Sequence, residues 1–250
     1  MKNFVEEALA QGKRIDGRDF LSFRKIEIVE NVSKKAEGSA LVKMGETKVI
    51  AGVKMDIGEP FKDSPNEGIL IVNAEFSPIS SPNIEPGPPD ENAIELARIV
   101  DRVIRESHSI DLEKLFIEEG KVWTVYVDLT VLDMKGNLVD ACVLSSLKAL
   151  WNAKIPKIED GKIVREEFSG KLPMVYKPVT VSICKYNNNF LIDPTDVEEE
   201  LINAKLVVGV RDDDKICAIQ KQGWGTFHIS EIERCLDLAI EKSKELRRLI

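Results

Sequence analysis

Apolar positions along the chain switch between a helical and a strand period, and the switches divide it into elements. Residues 3–10 carry a short helical pattern. Gly12–Phe23 follows as an extended arm rich in charges and turn residues, suited to lying across another subunit. Alternation from Arg24 to Val53 predicts three strands, with Met44-Gly45-Glu46 as a tight hairpin turn between the last two. Gly68–Phe76 predicts a fourth strand, buried on much of its surface. The prolines of Ser77–Pro89 forbid regular structure and predict a stiff surface loop. A helix over Asp90–Ser107 then sets Ile94, Ala97, Val100 and Ile104 on one face and Arg98, Arg102 and Arg105 on another. Lys121–Leu132 alternates as a strand, Asp133–Asn137 turns, and Leu138–Trp151 is largely apolar, which predicts a central buried helix.

A polar connection over 161–177 leads to a second series in similar order. Pro178–Cys184 begins a strand, and Thr195 with Glu198 forms a capping-box pattern opening a helix to about Ala204. Leu206–Val210 and Ile216–Gln220 flank a hairpin tip at Arg211–Lys215, and Ser230 with Glu233 opens a terminal helix. The chain thus divides into a helix and arm (1–23), a first lobe (24–160), the connection (161–177) and a second lobe (178–250). This mixture of elements predicts an α+β fold arranged as an α/β sandwich.

Composition narrows the function. At 250 residues with 43% apolar content, the chain can bury a sizeable core. No basic, apolar leader opens it and no apolar run reaches membrane-spanning length, so a soluble, cytoplasmic protein without membrane contact is expected. Cys142, Cys184, Cys217 and Cys235 are far apart, with no CxxC pair and only His108 and His228 to help, which argues for free thiols and against zinc. An excess of 43 acids over 35 bases leaves a net charge of −8, the wrong sign for holding nucleic acid unaided.

Arg14-Ile-Asp-Gly-Arg18 followed by the hairpin of Gly38–Val53 resembles the RNase PH superfamily, whose members degrade RNA from its 3′ end using inorganic phosphate. The resemblance implies a fold of two βαβα-type lobes related to the second domain of ribosomal protein S5. It also implies where chemistry should lie. Phosphorolysis sets one anion against another, so the site must gather cationic and N–H donors. In active members a loop of Gly, Ser or Thr and Arg at the start of the central helix cradles phosphate, and an acidic motif before a later strand supplies the general acid. Here the loop reads Lys135-Gly-Asn-Leu-Val-Asp-Ala141. Leu138 and Val139 stand where the family pattern has a hydroxyl residue and an arginine, and Asp140 adds a charge that repels phosphate. A turn feeding a helix capped by Asn137 or Asp140 accounts for the whole stretch. At the acid motif the chain reads Ile202-Asn-Ala-Lys-Leu206, so Lys205 replaces the carboxylate. An exposed lysine near the end of a helix is the ordinary reading of that position.

With both features missing, no catalytic residue, metal or cofactor is assigned, and the chain resembles the non-catalytic RNase PH-like subunit of the archaeal exosome ring. That resemblance implies a homologous phosphorolytic partner subunit, a hexamer of three heterodimers, RNA-binding cap subunits, and single-stranded RNA met through the complex. Arg98, Arg102 and Arg105, in a row on one helix, are the candidate RNA-binding residues. Their bland alternative is intrahelical pairing of Glu95 with Arg98 or Arg102 and of Asp101 with Arg105. The acids Asp193, Asp196, Glu198, Glu199 and Glu200 are read as solvated charge rather than a metal cluster, and Asp212–Asp214 likewise. Trp123 and Trp151 fall in core segments, leaving Trp224 to face outward. Two other functions compete: an independently active 3′ RNA phosphorylase or tRNA-trimming enzyme, and a free-standing RNA-binding module.

Overall fold

The computed structural model describes residues 2–250. The first lobe holds β1 (Ile26–Glu30), β2 (Gly38–Met44), β3 (Thr47–Gly58), β4 (Ile69–Phe76), β5 (Phe116–Glu118) and β6 (Lys121–Asp133). These form one sheet in the order β1-β2-β3-β6-β4, with β5 also paired to β6. Only the β4–β6 pairing is parallel, and the crossover between them carries α2 (Glu91–Glu106), since parallel neighbours need a long connection. The second lobe holds β9 (Val179–Tyr186), β10 (Asn189–Ile192), β11 (Ala204–Val210) and β12 (Ile216–Gln222), antiparallel in the order β10-β9-β11-β12.

One helix serves both sheets. α3 (Leu138–Asn152) packs on β2 and β3 on one side and on β9 on the other, which is why it is apolar nearly all round and buries Leu144, Leu147 and Leu150 completely. Its approach to β2 is so close that a Cβ at Gly38 would lie 2.2 Å from the Ala149 carbonyl oxygen. The terminal helix α5 (Ile229–Arg247) covers β9 and β11. The RNase PH-like α+β fold implied by the sequence is the fold observed.

Several local expectations are corrected. Ile94 is 52% exposed; the face of α2 in the core is instead Ala93, Leu96, Ile99, Val100, Val103 and Ile104. Residues 162–171 of the expected polar connection form a strand, β8 (Lys162–Lys171), in a hairpin with β7 (Lys154–Glu159). The helix opened by Thr195 is only α4 (Asp196–Glu199), and Ala204 already begins β11. The residue capping the terminal helix is His228, two positions before Ser230, and its backbone N–H donates to the Glu231 carboxylate (2.7 Å).

The arm also lies elsewhere than expected. Helix α1 (Lys2–Ala10) buries Val5 and Leu9 in a small cluster with Cys184, Tyr186 and Leu191 of the second lobe. Beyond it the Arg14 guanidinium is fully buried against Glu198, with Nε 2.9 Å from Oε1, and also donates to the carbonyls of Ile192 and Asp193. The arm is therefore part of this chain's own second lobe. Glu198 and Asp193, read as solvated acids, are buried and paired with arginines of the arm. Removing one partner of a buried pair strands the other charge, whereas replacing both by apolar groups is often neutral. Arg14→Met is thus expected to lower the unfolding free energy by about 3–5 kcal/mol in urea titration, and Arg14→Met with Glu198→Leu to recover most of it; equal losses in the single and double variants would contradict this.

Candidate functional site

The entrance to α3 lies where both lobes meet. Gly136 has φ 86°, and a Cβ there would fall 2.3 Å from the Pro194 carbonyl oxygen, so the turn requires glycine. Its carbonyl accepts from the Thr47 hydroxyl (2.7 Å) and from Arg24 Nη2 (3.1 Å), while Arg24 Nη1 holds the Lys135 carbonyl (2.6 Å). Asn137, in left-handed backbone at φ 52°, occupies the position before the helix. Its side-chain amide donates to Asp193 Oδ1 (3.1 Å), and its backbone N–H donates to Glu199 Oε1 (3.1 Å). Lys135 Nζ pairs with Asp196 (3.1 Å). Thus the N–H and cationic groups that open this loop are bound by carboxylates of the chain itself.

Neither Asn137 nor Asp140 caps the helix as expected. Asp140 is buried, and its carboxylate accepts from the backbone N–H and hydroxyl of Ser182 on β9, each at 2.9 Å. Burial pushes its carboxyl up to about 6, against the lowering effect of the two hydrogen bonds from Ser182. Between Asn137 and Asp140, Leu138 and Val139 present only apolar groups, with Val139 buried.

Lys205 is neither exposed nor near the end of a helix. It sits on β11 opposite Gln222 of β12 and Cys184 of β9, with its side chain 21% exposed and its ammonium 3.7 Å from Glu199 Oε1. Burial alone would favour the neutral amine, but the charges of Glu199 and, more weakly, Asp140 and Glu95 hold Lys205 above its ordinary range. A lysine held protonated this way can pair with a carboxylate. It cannot coordinate a divalent cation.

The three arginines of α2 share one groove. A cavity of about 680 Å³ runs between α2 and the free edge of β4, lined by Leu70–Glu75 on one side and by Arg98, Arg102 and Arg105 on the other. Their situations differ. Arg105 is clamped by Asp101 (Nη2–Oδ1 2.7 Å, Nε–Oδ2 3.0 Å) and donates to the Leu70 carbonyl, so one of the anticipated intrahelical pairs is present. Arg102 donates to the Gln220 side chain (2.8 Å) rather than to Glu95, which instead accepts from Gln222. Arg98 has no ion pair or side-chain hydrogen bond among the described residues. Trp224 is 81% exposed, as the sequence suggested, and Trp123 is buried.

Two features were not identified from sequence. Glu199 and Asp193 bind the α3 entrance, yet each looks like one more acid in an acidic run. Arg24, which ties that entrance to Asp193, has only a basic residue ahead of a strand to mark it. Their partners lie 62 and 169 positions away, beyond the reach of any local pattern.

Two sheets thus share one central helix, and a loop from each lobe meets at its start. The model of the 3′ exoribonuclease family, domain 1, matches residues 22–156, and that of domain 2 matches residues 177–242. The chain belongs to this family. It is 47% identical to exosome complex component Rrp42 of Methanopyrus kandleri, covering 98% of this chain and 94% of that one. It is also 47% identical to the Rrp42 component of Archaeoglobus fulgidus, with the same coverage of 98% and 94%. Among solved structures it is similar to a chain of the Archaeoglobus fulgidus exosome with RNA bound to the active site, with a TM-score of 0.92 and 46% identity over 99% of this chain and 96% of that one. It is similar as well to a chain of an archaeal exosome core, with a TM-score of 0.88 and 44% identity over 98% and 94%.

The Asp140 environment makes a pH prediction. Its folded-state carboxyl titrates above the unfolded value of 3.8, so between the two values the folded chain binds more protons, and stability falls as pH rises from about 4 to about 6. Asp140→Asn keeps an acceptor for the Ser182 N–H and removes the titration. Relative to the parent chain, its unfolding free energy should rise by about 2.4 kcal/mol between pH 4 and pH 7. Parallel pH profiles of parent and variant in urea titrations would contradict the assignment.

Proposed function

We propose that this chain is a component of the archaeal exosome that contributes no catalytic groups of its own. It pairs with a homologous phosphorolytic subunit, completes that subunit's RNA path, and so takes part in 3′ to 5′ decay of single-stranded RNA in the cytoplasm. The observation that carries this reading is the state of the α3 entrance. The Asn137 N–H is taken by Glu199, the next two residues are Leu138 and Val139, and the place of the acid is filled by Lys205 paired with Glu199. An incoming phosphate would meet Glu199 and Asp140 where it needs donors. Names shared with relatives at nearly half identity over nearly full length support membership of the exosome.

A ring of three heterodimers under a cap of RNA-binding subunits is the assembly that fits this division of labour, with the reacting groups on one chain and positioning groups on the other. In it Arg98, Arg102 and Arg105 offer their charges to RNA phosphates along the groove beside β4. Arg98, which has no partner, is the most available. Arg105 also holds α2 to β4.

Release of nucleoside diphosphate from a single-stranded RNA 3′ end, with phosphate and Mg²⁺, tests the proposal. Turnover is expected from the mixture of this chain with its phosphorolytic partner and not from this chain alone; turnover by this chain alone would establish it as an enzyme. In the assembled complex, Arg98→Ala and Arg102→Ala should each reduce the slope of log affinity for RNA against log salt by about 0.7, without altering the thermal midpoint. An unchanged slope would remove these residues from the RNA path.

A further inference from the structure

A second cavity, of about 340 Å³, opens where α2, the α3 entrance and the β11–β12 hairpin converge. Its walls include the apolar side chains of Met134 and Leu138, and its polar groups are Glu95, Glu199, Lys205, Gln222 and Asn92, whose amide donates to Asp90. Lys205 and Gln222 are directly opposite each other on adjacent strands, so their side chains emerge side by side on one face of the sheet. The Gln222 amide has one orientation open to it. Its Nε2 donates to Glu95 Oε1 (3.0 Å), and turning the amide over would set two acceptors against each other. The consequence is a buried Oε1 that receives no hydrogen bond. Lys205 supplies none, and its ammonium lies 3.7 Å from Glu199 Oε1.

The cavity therefore has acceptors in excess. Two carboxylates face one ammonium, and a buried carbonyl oxygen lacks a donor. The same negative field keeps Lys205 protonated in spite of its burial. We propose that this cavity binds a guanidinium or primary ammonium group carried on an aliphatic stem. The stem would lie along Met134 and Leu138, as the methylenes of long basic side chains do on apolar surface. The head group would donate to Gln222 Oε1 and to the free oxygens of Glu95 and Glu199, a geometry to which the planar five-donor guanidinium is suited. A basic side chain of a partner polypeptide and a free polyamine share this chemistry. The inference goes beyond the proposed role in the exosome, because the occupant of the cavity does not depend on whether the chain turns over RNA.

The test is a titration of the full chain with butylguanidinium, followed through the methyl resonances of Met134 and Leu138. Saturable shifts are expected with butylguanidinium and none with neutral butylurea or anionic butyrate. Glu95→Gln, which retains the acceptor for Gln222 Nε2 but removes a charge, should weaken butylguanidinium about tenfold. Equal binding of butylurea, tighter binding of butyrate, or an unchanged affinity in Glu95→Gln would overturn the proposal. Spermidine and a blocked Gly-Arg-Gly peptide then separate the two sources: tighter saturation by the peptide assigns the cavity to a partner's side chain, tighter saturation by spermidine to a polyamine, and the absence of both overturns it.

Discussion

The Asp193 carboxylate joins the arm, the approach to the first sheet and the start of the central helix to the second lobe. It is fully buried, and it accepts from Arg18 Nη1 (3.0 Å), from the Arg24 backbone N–H (2.6 Å), from Arg24 Nε (2.9 Å) and Nη2 (2.7 Å), and from Asn137 Nδ2 (3.1 Å). Those donors belong to the arm, the approach to the first sheet and the start of the central helix, while Asp193 itself follows β10 of the second sheet. A buried carboxylate is costly unless its oxygens are saturated by cationic and N–H donors, and here the donors come from three residues, Arg18, Arg24 and Asn137, far from Asp193 in sequence. The chain satisfies the charge only when arm, loop and both lobes are in register. Arg24 extends the constraint by binding the carbonyls of Lys135 and Gly136, so the turn before α3 is held from both sides.

Fixing that turn determines what the α3 entrance can do. A helix start with free N–H groups and nearby cations suits an anion, whether a phosphate or a side-chain carboxylate. In this chain two carboxylates meet donors at this turn: Glu199 accepts from the Asn137 N–H and Asp196 pairs with Lys135. The substitution is intramolecular, so it acts at a local concentration no free phosphate can match. Elsewhere, the groove beside β4 carries Arg98, which has no ion pair among the described residues, and the cavity beside Gln222 is rich in acceptors.

The sequence disclosed elements whose signal is local. The β2–β3 hairpin, α2 and α3 follow from strand alternation, a helical period of apolar positions and a largely apolar run, in that order. β8 was missed because most of it is exposed on both faces, leaving no alternation to detect. The helix at Thr195 was drawn too long because a capping box marks where a helix starts and not where it stops. The departures at Leu138, Val139 and Lys205 were visible because they are absences from a known pattern. Their replacements were not. Glu199, Asp193 and Glu198 read as surface acids, since an acid is identified as buried only by its partners, and Arg14 and Arg24 are distant in sequence.

The central claim, that the chain's own carboxylates have closed the α3 entrance to free anions, is tested most directly by titrating inorganic phosphate into the protein while following the backbone amide resonances of residues 136–141. The account predicts that the Asn137 amide stays unmoved through millimolar phosphate. A saturable shift of that amide, with Leu138 and Val139 moving alongside it, would show that phosphate displaces Glu199 and would contradict it.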